Sequence, residues 1–132
     1  MGVKFLIRVM FIIWVATITV LAVIPYADDG IMVSTNVTSS GMEKHIAGYF
    51  LAALLCYYSY GKKENRGQRQ RSEVVFIWLS GLFIFLYSVA LEAIQFFLPY
   101  RTFNKYDIVI NGVGVLLFVI LWSYRLRFTD RN

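Results

Sequence analysis

Near the end of one long apolar run the chain carries a carboxylate and an amide three positions apart, Glu92 and Gln95, and a carboxylate and an amide four positions apart, Asp107 and Asn111, open the next run. Between them, Pro99-Tyr100-Arg101 supplies a guanidinium, and an earlier apolar run opens with Glu43-Lys44-His45. These residue types suit three kinds of chemistry. Arg101 can hold a phosphate or carboxylate bidentately, with Lys44 as a second point charge. His45 or Glu92 can accept and return a proton. His45 with two carboxylates could hold a divalent ion weakly, but the chain lacks HExxH and Cys-rich spacings, so neither a metal nor another cofactor is expected.

Each residue also has a purely structural reading. Glu92 can bond across helices to Lys44, Arg101 or His45, and a carboxylate in apolar surroundings is expected to be paired or neutral in either case. His45 can be a hydrogen-bonded residue of a helix start. Glu43 stands three after Ser40, the spacing of a capping box, which makes it a cap before a catalyst. Asp107 can open a helix by meeting the positive end of its dipole, with Asn104 as cap. Asn111, one turn deeper, needs a buried partner. No serine or cysteine nucleophile stands in a recognisable motif, although Ser40 and Thr102 fall nearby.

The elements that must position these groups are apolar helices. Of 132 residues, 58% are hydrophobic and 17% aromatic, and the mean hydropathy is +0.60, too apolar for an ordinary soluble domain. Four segments, Phe5 to Ile24, Met42 to Tyr60, Val74 to Leu98 and Asp107 to Tyr124, each approach or exceed the roughly 20 residues that cross a bilayer core. The expectation is a single all-α domain over residues 1–132, an integral membrane four-helix bundle. The first span is expected to remain uncleaved, because its apolar run is long for a secretion signal and Pro25-Tyr26-Ala27-Asp28 is a poor cleavage site.

Lys4, Arg8, Lys62, Lys63, Arg66, Arg69, Arg71, Arg125, Arg127 and Arg131, ten of the thirteen basic residues, then fall on one side. The positive-inside rule makes that side, and both termini, cytoplasmic. The net charge of +5 is thereby topological and does not point to nucleic acid. Cys56 is the one cysteine, so no intrachain disulfide or cysteine metal motif is available.

With this topology, Glu92 lies roughly 9 Å and Asn111 roughly 6 Å from the outer ends of their helices, at about 1.5 Å per residue. Lys44, His45, Glu92, Gln95, Arg101, Asp107 and Asn111 are therefore expected at one outer level. Small or polar residues at steps of three, four or seven run into that level: Gly48, Ala52, Cys56 and Ser59; Gly81, Ser88 and Gln95; Asp107, Asn111 and Gly114. Such stripes let helices approach closely. The first span has no such face and is expected at the bundle edge.

Glu43-Lys44-His45-Ile46-Ala47-Gly48-Tyr49, then Glu92-x-x-Gln95, Pro99-Tyr100-Arg101, Asp107 and Asn111-Gly112-x-Gly114, resemble the VanZ-like family of small bacterial membrane proteins. The likeness covers the second to fourth spans. It implies a multi-pass protein of the bacterial cytoplasmic membrane, with some relatives linked to low-level teicoplanin resistance, and it supplies no reaction. Two functions from different classes stay open beside it. One is an outward-facing pocket binding an anionic headgroup of a membrane lipid or lipid-linked envelope precursor, formed by Lys44, His45, Glu92, Gln95, Arg101, Asp107 and Asn111. The other is a membrane-embedded enzyme acting on a lipid phosphate or ester, with His45 or Glu92 as acid and base. Proton or ion translocation is weaker, because the inner halves of the spans lack ionisable residues to continue a path.

Overall fold

In the computed structural model the chain forms four helices, α1 (Val3–Val23), α2 (Ser39–Tyr60), α3 (Arg69–Phe96) and α4 (Lys105–Thr129). The structure describes residues 2–24, 39–61, 69–100 and 103–129. The connection 25–38 between the first two helices, the basic residues of the 62–68 connection, and Arg101 with Thr102 lie outside the described residues.

The helix limits follow backbone chemistry more closely than the apolar runs do. α3 begins at Arg69, five residues ahead of Val74, because arginine and glutamine are good helix formers whether or not they face lipid. Ser72 and Glu73 are consequently inside the helix and not at its cap. At the other end Phe97 N–H bonds Ile94 O and Leu98 N–H bonds Gln95 O, both at 3.0 Å. That tightened turn stops the helix ahead of Pro99, whose ring disfavours helical geometry at Leu98. α2 begins at Ser39, one residue before the expected Ser40 cap. α4 continues past Tyr124 to Thr129, with Arg127 near its negative dipole end.

Three helical stretches, Val3–Val23, Arg71–Phe96 and Lys105–Phe128, are long and apolar enough to cross a membrane. α2 matches them in length, at 22 residues, but not in apolarity. Its opening Glu43-Lys44-His45 and its tyrosines Tyr49, Tyr57, Tyr58 and Tyr60 lower its hydropathy, while Ala52, Ala53, Cys56 and Ser59 are all buried inside the bundle. Large side chains such as Leu82, Phe83, Leu86, Leu116, Leu117 and Ile120 point outward. That inside-out distribution suits hydrocarbon as solvent, where small residues at helix contacts and polar groups within the bundle are favoured.

α2 and α3 each pack against all the other helices, whereas α1 and α4 do not touch. Phe11 is the buried side chain of α1, so that helix does lie at the edge. It is held by polar contacts to backbone. Lys4 Nζ donates to Gly61 O at 3.1 Å and Arg8 Nε to Ser59 O at 3.1 Å, satisfying carbonyls that the end of α2 leaves free. Further along, Trp14 Nε1 donates to Gly48 O at 3.1 Å, and Tyr87 OH donates to Val15 O at 3.1 Å. The start of α1 and the end of α4 thus lie at the end of the bundle where α2 finishes, since Arg125 Nη1 also reaches Tyr58 OH at 3.5 Å.

α4 approaches α2 closely at Gly114, where an added Cβ would collide with the Ile46 carbonyl. At Gly81 an added Cβ would stand 2.7 Å from Val119 and 3.2 Å from Val115, so α3 and α4 also meet through a glycine. Gly48 is different: an added Cβ there meets nothing within 4 Å. The close contact between α2 and α4 therefore depends on the glycine of α4.

Candidate functional site

The site is assembled at the end of the bundle where α1 and α3 finish and α2 and α4 begin. Its foundation is the first turn of α4. Asn104 caps that helix: its Oδ1 accepts from Tyr106 N–H at 3.0 Å, and its carbonyl accepts from Asp107 N–H at 3.0 Å. The Asn104 side chain also donates through Nδ2 to Asp107 Oδ1 at 3.0 Å. Asp107 is thereby fixed in the first turn, where its charge meets the positive dipole end.

In an ordinary capping box a carboxylate three residues into the helix turns back to the backbone N–H of the cap residue. Here Asp107 is occupied by the cap side chain, and the backbone N–H of Asn104 interacts instead with the carboxylate of Glu92 from α3. Glu92 is thus brought from a neighbouring helix to the start of α4. It is only 4% exposed, and its Oε2 has no hydrogen-bond partner among the described residues.

The second half of the site joins α2 to α4. His45 Nδ1 donates to Asn111 Oδ1 at 2.9 Å, because an amide oxygen can only accept. In its neutral form the ring with Nδ1 protonated presents Nε2 as an acceptor. Asn111 is fully buried at 0% exposure, and its Nδ2 has no partner among the described residues. The buried partner that Asn111 needs is thus His45, for one end of its amide. His45 and Asp107 also lie within electrostatic range of Glu92, so residues from three helices converge.

The other expected members are placed differently. Gln95 is one turn beyond Glu92, but its Nε2 donates to Ala22 O on α1 at 3.1 Å. That bond uses the amide to close the end of α1. Lys44 and Glu43 are exposed on the first turns of α2. Among the described residues no group of three or more His, Cys, Asp or Glu is arranged to hold a metal ion.

Tyr49 is the member that residue-type reasoning passes over. It lies four after His45, on the same face of α2, and is buried at 6% exposure. Its phenol is within electrostatic range of Glu92, Asp107 and Tyr87. The signal was present in the Glu43-to-Tyr49 motif, whose i, i+4 pair His45 and Tyr49 must share one face of a helix. Tyrosine in an apolar run resembles core or interface material, which hides it.

Leaving two polar atoms buried and unbonded costs about 1–3 kcal/mol each. Such groups are few in native proteins and each is answered by an ordered water, local strain or a functional partner. Among the described residues the Ser80 and Ser123 hydroxyls share this state, but Glu92 and Asn111 are the two that meet at the polar end of the bundle. The arrangement can accept a hydrogen bond at Glu92 and at His45 Nε2, and donate one from Asn111. A sequence model of the family described as VanZ/LLP1 matches residues 5–127, nearly the whole chain and α1 as well as the later helices, and the chain belongs to that family. No curated protein and no solved structure matches it.

Proposed function

We propose that this member of the VanZ/LLP1 family binds the anionic headgroup of a membrane lipid or lipid-linked envelope precursor at the end of the bundle that gathers His45, Glu92, Asp107 and Asn111. The observation that carries the reading is the pair of buried polar atoms on Glu92 and Asn111 that have no hydrogen-bond partner among the described residues. Lys44, exposed at the start of α2, and Arg101, which follows Tyr100 in the sequence, supply positive charge for a phosphate. In this reading the site faces away from the cytosol in a bacterial cytoplasmic membrane. A contribution to teicoplanin tolerance would follow from an altered envelope surface or altered access of the antibiotic.

The test is lipid retention by the purified protein. After exchange into mixed micelles of phosphatidylcholine and an anionic phospholipid, the wild type is expected to retain the anionic lipid selectively. The double variant Lys44→Ala, Arg101→Ala is expected to lose most of that preference. Equal retention in both proteins would remove the reading.

A second reading, an enzyme acting on a lipid phosphate or ester, is favoured by one specific feature. The bond from His45 Nδ1 to Asn111 Oδ1 leaves the acid–base role to Nε2, with Glu92 within electrostatic range of the imidazole. Turnover of labelled envelope lipids separates the readings. Product that disappears in His45→Ala while lipid retention persists would establish the enzyme.

A further inference from the structure

We propose that the site selects headgroups carrying a hydroxyl beyond the phosphate, the hydroxyl entering deepest to donate to Glu92 and accept from Asn111. This rests on the headgroup reading and adds the chemical class of the group that is recognised. Glu92 Oε2 and Asn111 Nδ2 are both buried without a partner among the described residues, on side chains 4% and 0% exposed. Their hydrogen-bonding senses are opposite: the carboxylate oxygen accepts and the amide nitrogen donates. His45 links them, bonded to Asn111 at 2.9 Å and within electrostatic range of Glu92.

The chemistry of the possible occupants decides among them. A phosphodiester offers acceptors only, so it could satisfy Asn111 but would face an ionised Glu92, with Asp107 in electrostatic range of it, as like charges. An ammonium offers donors only and would leave the Asn111 amide unsatisfied. A hydroxyl has one donor and two acceptor lone pairs, which matches both atoms. The phosphate then belongs further out, toward exposed Lys44. The order is phosphate outward and hydroxyl inward.

Phosphatidylglycerol and phosphatidylmethanol carry the same charge and differ in the headgroup hydroxyls, so their competition isolates the proposal. Full-length protein is exchanged into micelles of phosphatidylcholine containing equal amounts of the two, and the retained lipid is measured by mass spectrometry. The expected result is about tenfold preference for phosphatidylglycerol, the scale of a hydrogen bond to a charged group. Phosphatidylethanolamine is expected to compete less well. In E92Q the preference between the two anionic lipids is expected to fall to within about twofold.

Equal retention of the two anionic lipids by the wild type, both above phosphatidylcholine, would overturn the hydroxyl and leave the headgroup reading standing; the buried atoms would then hold water alone. Preference for phosphatidylethanolamine would overturn it in favour of an ammonium. No anionic preference at all would remove both readings. The wild-type competition decides between these outcomes whether or not E92Q folds.

Discussion

Glu92 meets two demands at once. Its carboxylate reaches the start of α4 beside the Asn104 N–H and Asp107, yet it is buried with one oxygen that has no hydrogen-bond partner among the described residues. A residue kept for stability alone would not be arranged this way, because a buried carboxylate costs more than a neutral group of the same shape. Glu92→Gln is therefore expected to hold or raise the melting temperature in detergent while erasing selectivity between headgroups. A fall of more than about 5 °C, roughly 1–2 kcal/mol for a chain of this size, would instead assign Glu92 to the fold. Asn104→Ala should behave oppositely. It removes the acceptor for Tyr106 N–H and the donor to Asp107, and is expected to cost about 0.5–2 kcal/mol by thermal unfolding.

At the scale of elements, the glycines rank themselves by what stands in front of them. Gly114→Ala puts a methyl against the Ile46 backbone, which has no rotamer to change, so α2 and α4 must separate. A cost of about 1–3 kcal/mol is expected. Gly81→Ala meets only side chains, Val115 and Val119, and should cost less because those can turn. Gly48→Ala meets nothing and should be neutral or slightly stabilising through helix propensity. Melting temperatures in the order Gly48→Ala highest, Gly81→Ala next and Gly114→Ala lowest would bear this out. A reversal of the first and last would mean that α2 and α4 do not touch at Gly114. α1 depends on a different kind of contact. Trp14→Phe deletes the bond to Gly48 O and is expected to cost about 0.5–1.5 kcal/mol, with little effect on the packing of α2 against α4.

At the scale of the whole molecule, the arrangement separates two ends. His45, Glu92, Asp107 and Asn111 gather where α3 finishes, while Lys4, Arg8 and Arg125 cluster at the opposite end around the last turn of α2. With Cys56 the sole cysteine and buried, a Cys56→Ala background permits single cysteines at Lys44 and Arg127 to be labelled in intact cells. An impermeant reagent is expected to reach position 44 and not position 127. The reverse pattern would place the polar site in the cytosol and remove an envelope headgroup as its ligand.

Much of this was determined by the sequence acting alone. Apolar runs of spanning length depend only on transfer between water and lipid, a property each residue carries wherever it sits. Asn104 as cap and the edge position of α1 were legible for a similar reason, being local chemistry or the absence of a small-residue face. Tertiary structure decided which polar groups face one another. Gln95 and Glu92 are three apart on one helix, yet the first turns to Ala22 of α1 and the second to the start of α4. Tyr49 enters the site and Gly48 leaves the close contact for the same reason. Helical period fixes which residues share a face, but the partner of that face is set by how four helices pack, and no spacing within a single helix contains that information.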